Sequence, residues 1–146
     1  MKISAKTDYA CRALLELALK YDSGQPIQLN EIVHNQGIPD KYLVQILVML
    51  KGAGFVRSKR GAEGGYIMAK HPSEITLGEV IRVVEGSLLA LKCSTENDSS
   101  ICPRIPICEF HPIWGKIRGI ISGIVDNITF EQICKQSPRF NNMYYI

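Results

Sequence analysis

No stretch of this 146-residue chain approaches the ~18 uncharged apolar residues of a membrane span; one of the more apolar segments runs only from Tyr42 to Leu50. The opening residues carry Lys2, Lys6 and Asp8 but no apolar run. No secretory signal is visible there, and a cytoplasmic location is expected. No Gly-x4-Gly-Lys-Ser/Thr run is present, which excludes a P-loop nucleotide site. Nucleophile–base pairs and paired carboxylates are also missing, so an enzyme acting on a small-molecule substrate is not expected. Charged residues make up only 21% and hydrophobic residues 46%, which excludes a disordered tail. A chain of this length buries roughly 68% of its unfolded surface and needs no disulfide staples.

The charge and the cysteines are distributed in opposite ways. Residues 1–70 hold ten Lys and Arg against six Asp and Glu, a net of +4. Residues 71–146 hold seven against eight, a net of −1. Of five cysteines, only Cys11 lies in the first half; Cys93, Cys102, Cys108 and Cys134 lie in the second. Thiols in a reducing compartment more often mean metal or redox chemistry than structural bridges.

Apolar periodicity predicts an amphipathic helix from about Ser4 to Tyr21, carried by Ala10, Ala13, Leu14, Leu17, Ala18 and Tyr21. Ser4 is its candidate cap. A short helix follows over Leu29–Asn35. Gly37 supplies a left-handed turn, and Pro39 opens a longer helix to about Lys51. Leu43, Ile46, Leu47 and Leu50 form that helix's inward stripe. The pattern is a helix-turn-helix. Strands at Phe55–Ser58 and Gly65–Ala69 enclose a glycine-rich turn, which makes a wing. Capping boxes at Thr76-x-x-Glu79 and Thr129-x-x-Gln132 open two further helices, ending near Glu85 and Gln136. Between them lie an irregular stretch, Lys92–Phe110, and a helix opened by His111-Pro112. Ile113, Ile117, Ile120, Ile121, Ile124 and Val125 give that helix an apolar face. The tail from Ser137 to Ile146 carries no clear signal.

Two constellations carry chemistry. The predicted recognition helix offers Pro39, Asp40, Lys41, Tyr42 and Gln45 to a major groove, where Lys and Gln reach purine edges. Lys51 and Arg57 are candidate phosphate contacts, and Lys59 and Arg60 sit on the wing, suited to a narrow minor groove. The second constellation is Cys93-x8-Cys102-x5-Cys108-x2-His111. Three thiolates and an imidazole can close around zinc or an iron–sulfur cluster. The spacing falls one residue short of the C-x8-C-x5-C-x3-H pattern of RNA-binding zinc fingers. A zinc-stabilised Cys3His RNA-binding or interaction module is thus one alternative. A cluster-free regulator that senses oxidants through its thiols is another. Cys11 and Cys134 fall within helical patterns and read as core residues, and His34 as a surface residue.

The residues Met1–Ser4 with Tyr9-Ala10, Gln36–Ile38, Tyr42-Leu43, Gly54–Val56, Arg60-Gly61, Gly64–Tyr66, Ile75–Ile81 and Asn127–Thr129 recur in order. On these the chain resembles the Rrf2 family of winged-helix transcription regulators. The resemblance implies a mainly α fold: a winged helix-turn-helix DNA-binding domain over residues 1–90, a cysteine-rich cluster-binding loop over 91–111, and a dimerisation helix with C-terminal helix and tail over 112–146. It also implies a homodimer on a near-palindromic double-stranded operator.

The resemblance further places Cys93, Cys102 and Cys108 at the ligand positions of the family's IscR/NsrR-like, cluster-bearing branch, with 2Fe-2S favoured over 4Fe-4S. The first gap is longer than in IscR-like members and the second agrees. His111 matches a histidine ligand of one group. Asp8, with Arg12 one turn later, matches an acidic ligand supplied across the dimer in the other. His111 is favoured for its spacing from Cys108. Val44 stands where some relatives carry Glu, so their operator preference does not transfer.

Overall fold

The computed structural model describes residues 3–89, 93 and 101–142. The Tyr144–Ile146 ending, for which the sequence carries no signal, and much of the stretch between Cys93 and Cys102 lie outside these residues.

Helix α1 (Ala5–Leu19) starts where Ser4 accepts from the Thr7 amide at 3.2 Å. Such a cap stabilises a helix by about 1 kcal/mol. Its Ala10, Ala13, Leu14 and Leu17 are essentially fully buried and form the spine of the main core. Helices α2 (Leu29–Gln36) and α3 (Asp40–Gly52) are joined by Gly37 at φ +60°, a left-handed position that glycine tolerates without strain. Pro39 sits one residue ahead of α3, as its cap, rather than inside it. Leu43, Ile46, Leu47 and Leu50 are all buried completely, as the apolar stripe predicts. Burial of each stabilises the fold by about 1.5–3 kcal/mol.

Strands β1 (Val56–Lys59) and β2 (Gly65–Met68) pair antiparallel, with Val56 opposite Met68 and Lys59 opposite Gly65. A third backbone segment joins this wing: Ile27 and Tyr66 exchange hydrogen bonds of 2.9 and 2.8 Å. Gly65 makes this possible. Its φ is +156°, and a β-carbon there would strike the Ile27 carbonyl.

The first turn of helix α4 (Leu77–Glu85) and that of helix α6 (Phe130–Gln136) lie side by side. Both capping boxes form, with Thr76 Oγ1 accepting from Glu79 N at 3.2 Å and Thr129 Oγ1 from Gln132 N at 3.3 Å. Thr76 and Thr129 form an isolated β-bridge, Leu77 N donates to Ile128 O at 2.8 Å, and Phe130 N donates to Ile75 O at 3.0 Å. Phe130 and Cys134 of α6 then enter the main core beside α1. The tail without a sequence signal forms helix α7 (Pro138–Asn142).

Helix α5 (His111–Val125) stands outside the main core. Ile81, Leu88 and Val125 form a small second cluster with Leu77 and Ile121. Arg82 forks onto Asp126 at 2.6 and 2.8 Å, and this hydrogen-bonded pairing holds the Asp126 carboxyl below its usual range. Ile113, Ile120 and Ile124 remain about half exposed on its far face. Within the cysteine-rich stretch, Ile105–Ile107 form a 3-10 turn. No helix among the described residues is long and apolar enough to cross a membrane.

Candidate functional site

The predicted DNA-facing residues of the helix-turn-helix and wing are all at the surface. Pro39, Asp40, Lys41, Tyr42, Gln45 and Lys51 are exposed on or just before α3, and Arg57, Lys59 and Arg60 on or beside β1. The α3 residues are presented because the opposite stripe, Leu43–Ile46–Leu47–Leu50, is locked into the core. Lys51 Nζ reaches the Ser58 hydroxyl at 2.9 Å, which ties the end of α3 to the first wing strand. Among the described residues, Lys41, Arg57, Lys59 and Arg60 have no acidic partner within ion-pair distance, leaving their charge available. Tyr42 packs against Tyr9 of α1, with ring centres 6.3 Å apart.

The turn of the motif is held by a buried carboxylate that sequence reasoning missed. Glu16 of α1 is 3% exposed. It accepts from Gln36 Nε2 at 2.6 Å, Asn35 Nδ2 at 2.9 Å and Arg139 Nη1 at 2.8 Å. Burial pushes its carboxyl upward, but the bonds from Gln36, Arg139 and Asn35 outweigh this and hold it below the ordinary range. The stability Glu16 contributes is therefore fully present above the ordinary glutamate pKa of about 4.3. It is lost as pH falls through the lower folded value. Glu16→Gln is expected to cost about 1–3 kcal/mol at neutral pH and to flatten the acid side of a pH series of urea midpoints. An unchanged midpoint at every pH would refute this role. Helical spacing placed Glu16 on the inward face of α1, and an acid on such a face was the available signal.

Asp8 is exposed and engaged within its own chain: Arg12 Nη1 donates to it at 3.2 Å, and Arg12 Nε to Gln36 Oε1 at 3.3 Å.

The thiols fall into two groups. Cys134 is buried, and Cys11 is half-buried. Burial is the main cause pushing both thiols up to about 11, which makes them poor thiolates and poor ligands. Cys93, Cys102 and Cys108 are all partly exposed. The 3-10 turn spans the gap between Cys102 and Cys108, with Ile105 N donating to Cys102 O at 3.1 Å. His111 N donates to Cys108 O at 3.3 Å, so the candidate imidazole follows Cys108 at the start of α5. As a donor set, three accessible thiols and an imidazole suit zinc or an iron–sulfur cluster. Among the described residues, no three His, Cys, Asp or Glu side chains converge closely enough to hold a metal ion.

A cleft of about 440 Å³ opens between the Tyr21–Ser23 turn and the wing, lined by Lys20, Asp22, Arg57, Lys59 and Tyr66 among others. Lys20, on its rim, is already paired with Glu31.

The family model described as "Rrf2: Iron-dependent Transcriptional regulator" matches residues 3–136. The HTH-type transcriptional regulator IscR of Escherichia coli is 35% identical over 133 residues, spanning 91% of this chain and 80% of that protein. The solved structure of T. potens IscR superposes with a TM-score of 0.74 at 34% identity, covering 92% of this chain and 87% of the other. That of CymR, the global cysteine regulator of B. subtilis, gives 0.73 at 31% identity, covering 94% and 98%. These relatives are regulators rather than enzymes. With the match running from the first described residue to the end of α6, the chain belongs to the Rrf2 family of transcriptional regulators.

Proposed function

We propose that the chain acts as a cytoplasmic homodimer that binds a near-palindromic DNA operator, with its affinity set by an iron–sulfur cluster. The carrying observation is the division of the thiols. Cys93, Cys102 and Cys108, all partly exposed, precede α5 in one segment, while Cys11 and Cys134 sit apart on α1 and α6 with thiols pushed up to about 11, chiefly by burial. Cys93, Cys102, Cys108 and His111 would hold the group, with Asp8 of a second copy as the alternative fourth ligand. A [2Fe-2S] form suits a histidine-bearing set better than [4Fe-4S]. When bound, such a cluster supplies a one-electron couple and iron–thiolate bonds that oxidation or nitrosylation breaks. The family description as iron-dependent supports the reading.

The chain's own residues would carry the signal onward. Cys102 and Cys108 flank the 3-10 turn, and His111 opens α5. Holding these side chains together fixes the turn against the start of α5. The Arg82–Asp126 fork and the Ile81–Leu88–Val125 cluster join the far end of α5 to α4. Ile113, Ile120 and Ile124 leave an apolar face that a second copy would cover. The spacing of two recognition helices then depends on how α5 is held. Only a difference in DNA fit between the two arrangements makes this a switch.

Anaerobic purification with an absorption spectrum and an iron and sulfide assay tests the proposal. The expected result is a coloured protein with visible bands, iron and acid-labile sulfide. A colourless protein with one zinc per chain would favour the interaction-module alternative. The likeness to CymR gives the thiol-based alternative its own support. That reading requires a colourless, metal-free protein whose DNA binding responds to peroxide.

A further inference from the structure

We propose that Val44 and Val48 read the 5-methyl groups of thymines in the major groove. They would be the apolar specificity pair of the recognition helix, and the proposal rests on the DNA-binding reading above. Helix α3 has two opposed stripes. The inward stripe is buried completely. The outward stripe runs Lys41, Val44, Gln45, Val48 at helical spacing, with Val44 44% and Val48 67% exposed. Neither valine belongs to either apolar cluster. Both are β-branched and are poorer helix formers than the Lys, Glu or Gln of an ordinary solvated face. Folding therefore gives no account of them.

The surroundings specify the occupant. The valines lie between Lys41 and Lys51, and no acid follows Asp40 on α3. A stripe that is cationic at its ends and apolar in its middle fits a polyanion presenting methyl groups. In the major groove only thymine presents one. Rise along a helix puts residues 44 and 48 about 6 Å apart, or roughly two base-pair steps. Gln45, between them, can take both major-groove atoms of adenine, whose pairing partner carries the methyl. Against any other base edge the valines would strip water from polar groups and return no hydrogen bond, which penalises wrong sequences.

The test begins with enrichment of duplexes from a random library by the anaerobically purified full-length chain. Each thymine of the enriched site is then replaced by uracil, which removes only the methyl. Removing one buried methyl should weaken binding about fourfold at one or two positions per half-site. Val44→Ala and Val48→Ala should each abolish the penalty at one of those positions. Both sites are exposed and alanine is the better helix former, so these variants retain the fold and salt-sensitive binding to random DNA. An enriched operator indifferent to uracil at every position overturns the assignment alone. So does a full uracil penalty in both variants; that outcome, with wild-type operator affinity, would mark the valines as a protein-docking patch. Failure to enrich any duplex overturns the DNA-binding reading itself.

Discussion

Raising the salt from about 50 to about 200 mM is expected to weaken operator binding by about 10³–10⁵-fold, the range for six to ten phosphate contacts. Lys41, Lys51, Arg57, Lys59 and Arg60 are all exposed on or beside α3 and the wing. A dimer would double that set, so even partial engagement reaches the stated range. The cations without acidic partners matter most. An ion-paired lysine would give up its intramolecular partner to bind phosphate, whereas Arg57, Lys59 and Arg60 have none to give up among the described residues. Removing Arg57 or Lys59 should reduce the slope of log affinity against log salt by about one for each phosphate the variant no longer neutralises. Fluorescence anisotropy at a series of salt concentrations measures this. A flat response would show that the wing does not anchor to the backbone.

Cys102→Ala should give a colourless protein with acid-labile sulfide at baseline, and operator affinity should no longer respond to oxidant. The fold should survive, because Cys102 is partly exposed and belongs to neither apolar cluster. Cys11→Ala is the matching control. Its thiol is pushed up to about 11 by burial on α1, so its loss should leave the colour intact. The measurements are the visible spectrum, iron and sulfide content, and operator affinity before and after exposure to air. If Cys102→Ala keeps its iron, sulfide and wild-type response, the cluster assignment is wrong.

The parts of the fold that were legible depend on short-range chemistry. Each capping box is written in four consecutive residues, and both Thr76–Glu79 and Thr129–Gln132 form as the sequence indicates. The inward stripe of α3 follows from helical periodicity and is buried at every position. Gly37 takes the left-handed conformation that a turn between two helices demands. What the sequence hid depends on distant partners. Helix α7 has no internal signature; Arg139 is tied to Glu16, 123 positions away. Ile27 joins the wing only because Gly65 lets the backbones meet. Pro39 illustrates a smaller displacement, since the same rigid φ suits a cap as well as a first helical position. For the candidate metal centre, spacing named the donor types. It could not place them in space, because side chains on a segment without helical or strand periodicity have no spacing rule that fixes their direction.

The head-to-head pairing of Thr76 with Thr129 has an architectural consequence. It clamps the chain just before α4 to the chain just before α6, and α4 itself packs back onto α1, so α5 is reached from α4 and returns to the body at this bridge. Helix α5 thus lies outside the main core, seated on α4 and held at its far end by the chain that leads into α6. An element placed so can change in length or sequence while α1, α2, α3, α4 and α6 keep their packing. A scaffold of this kind can keep one way of holding DNA and exchange what it listens to.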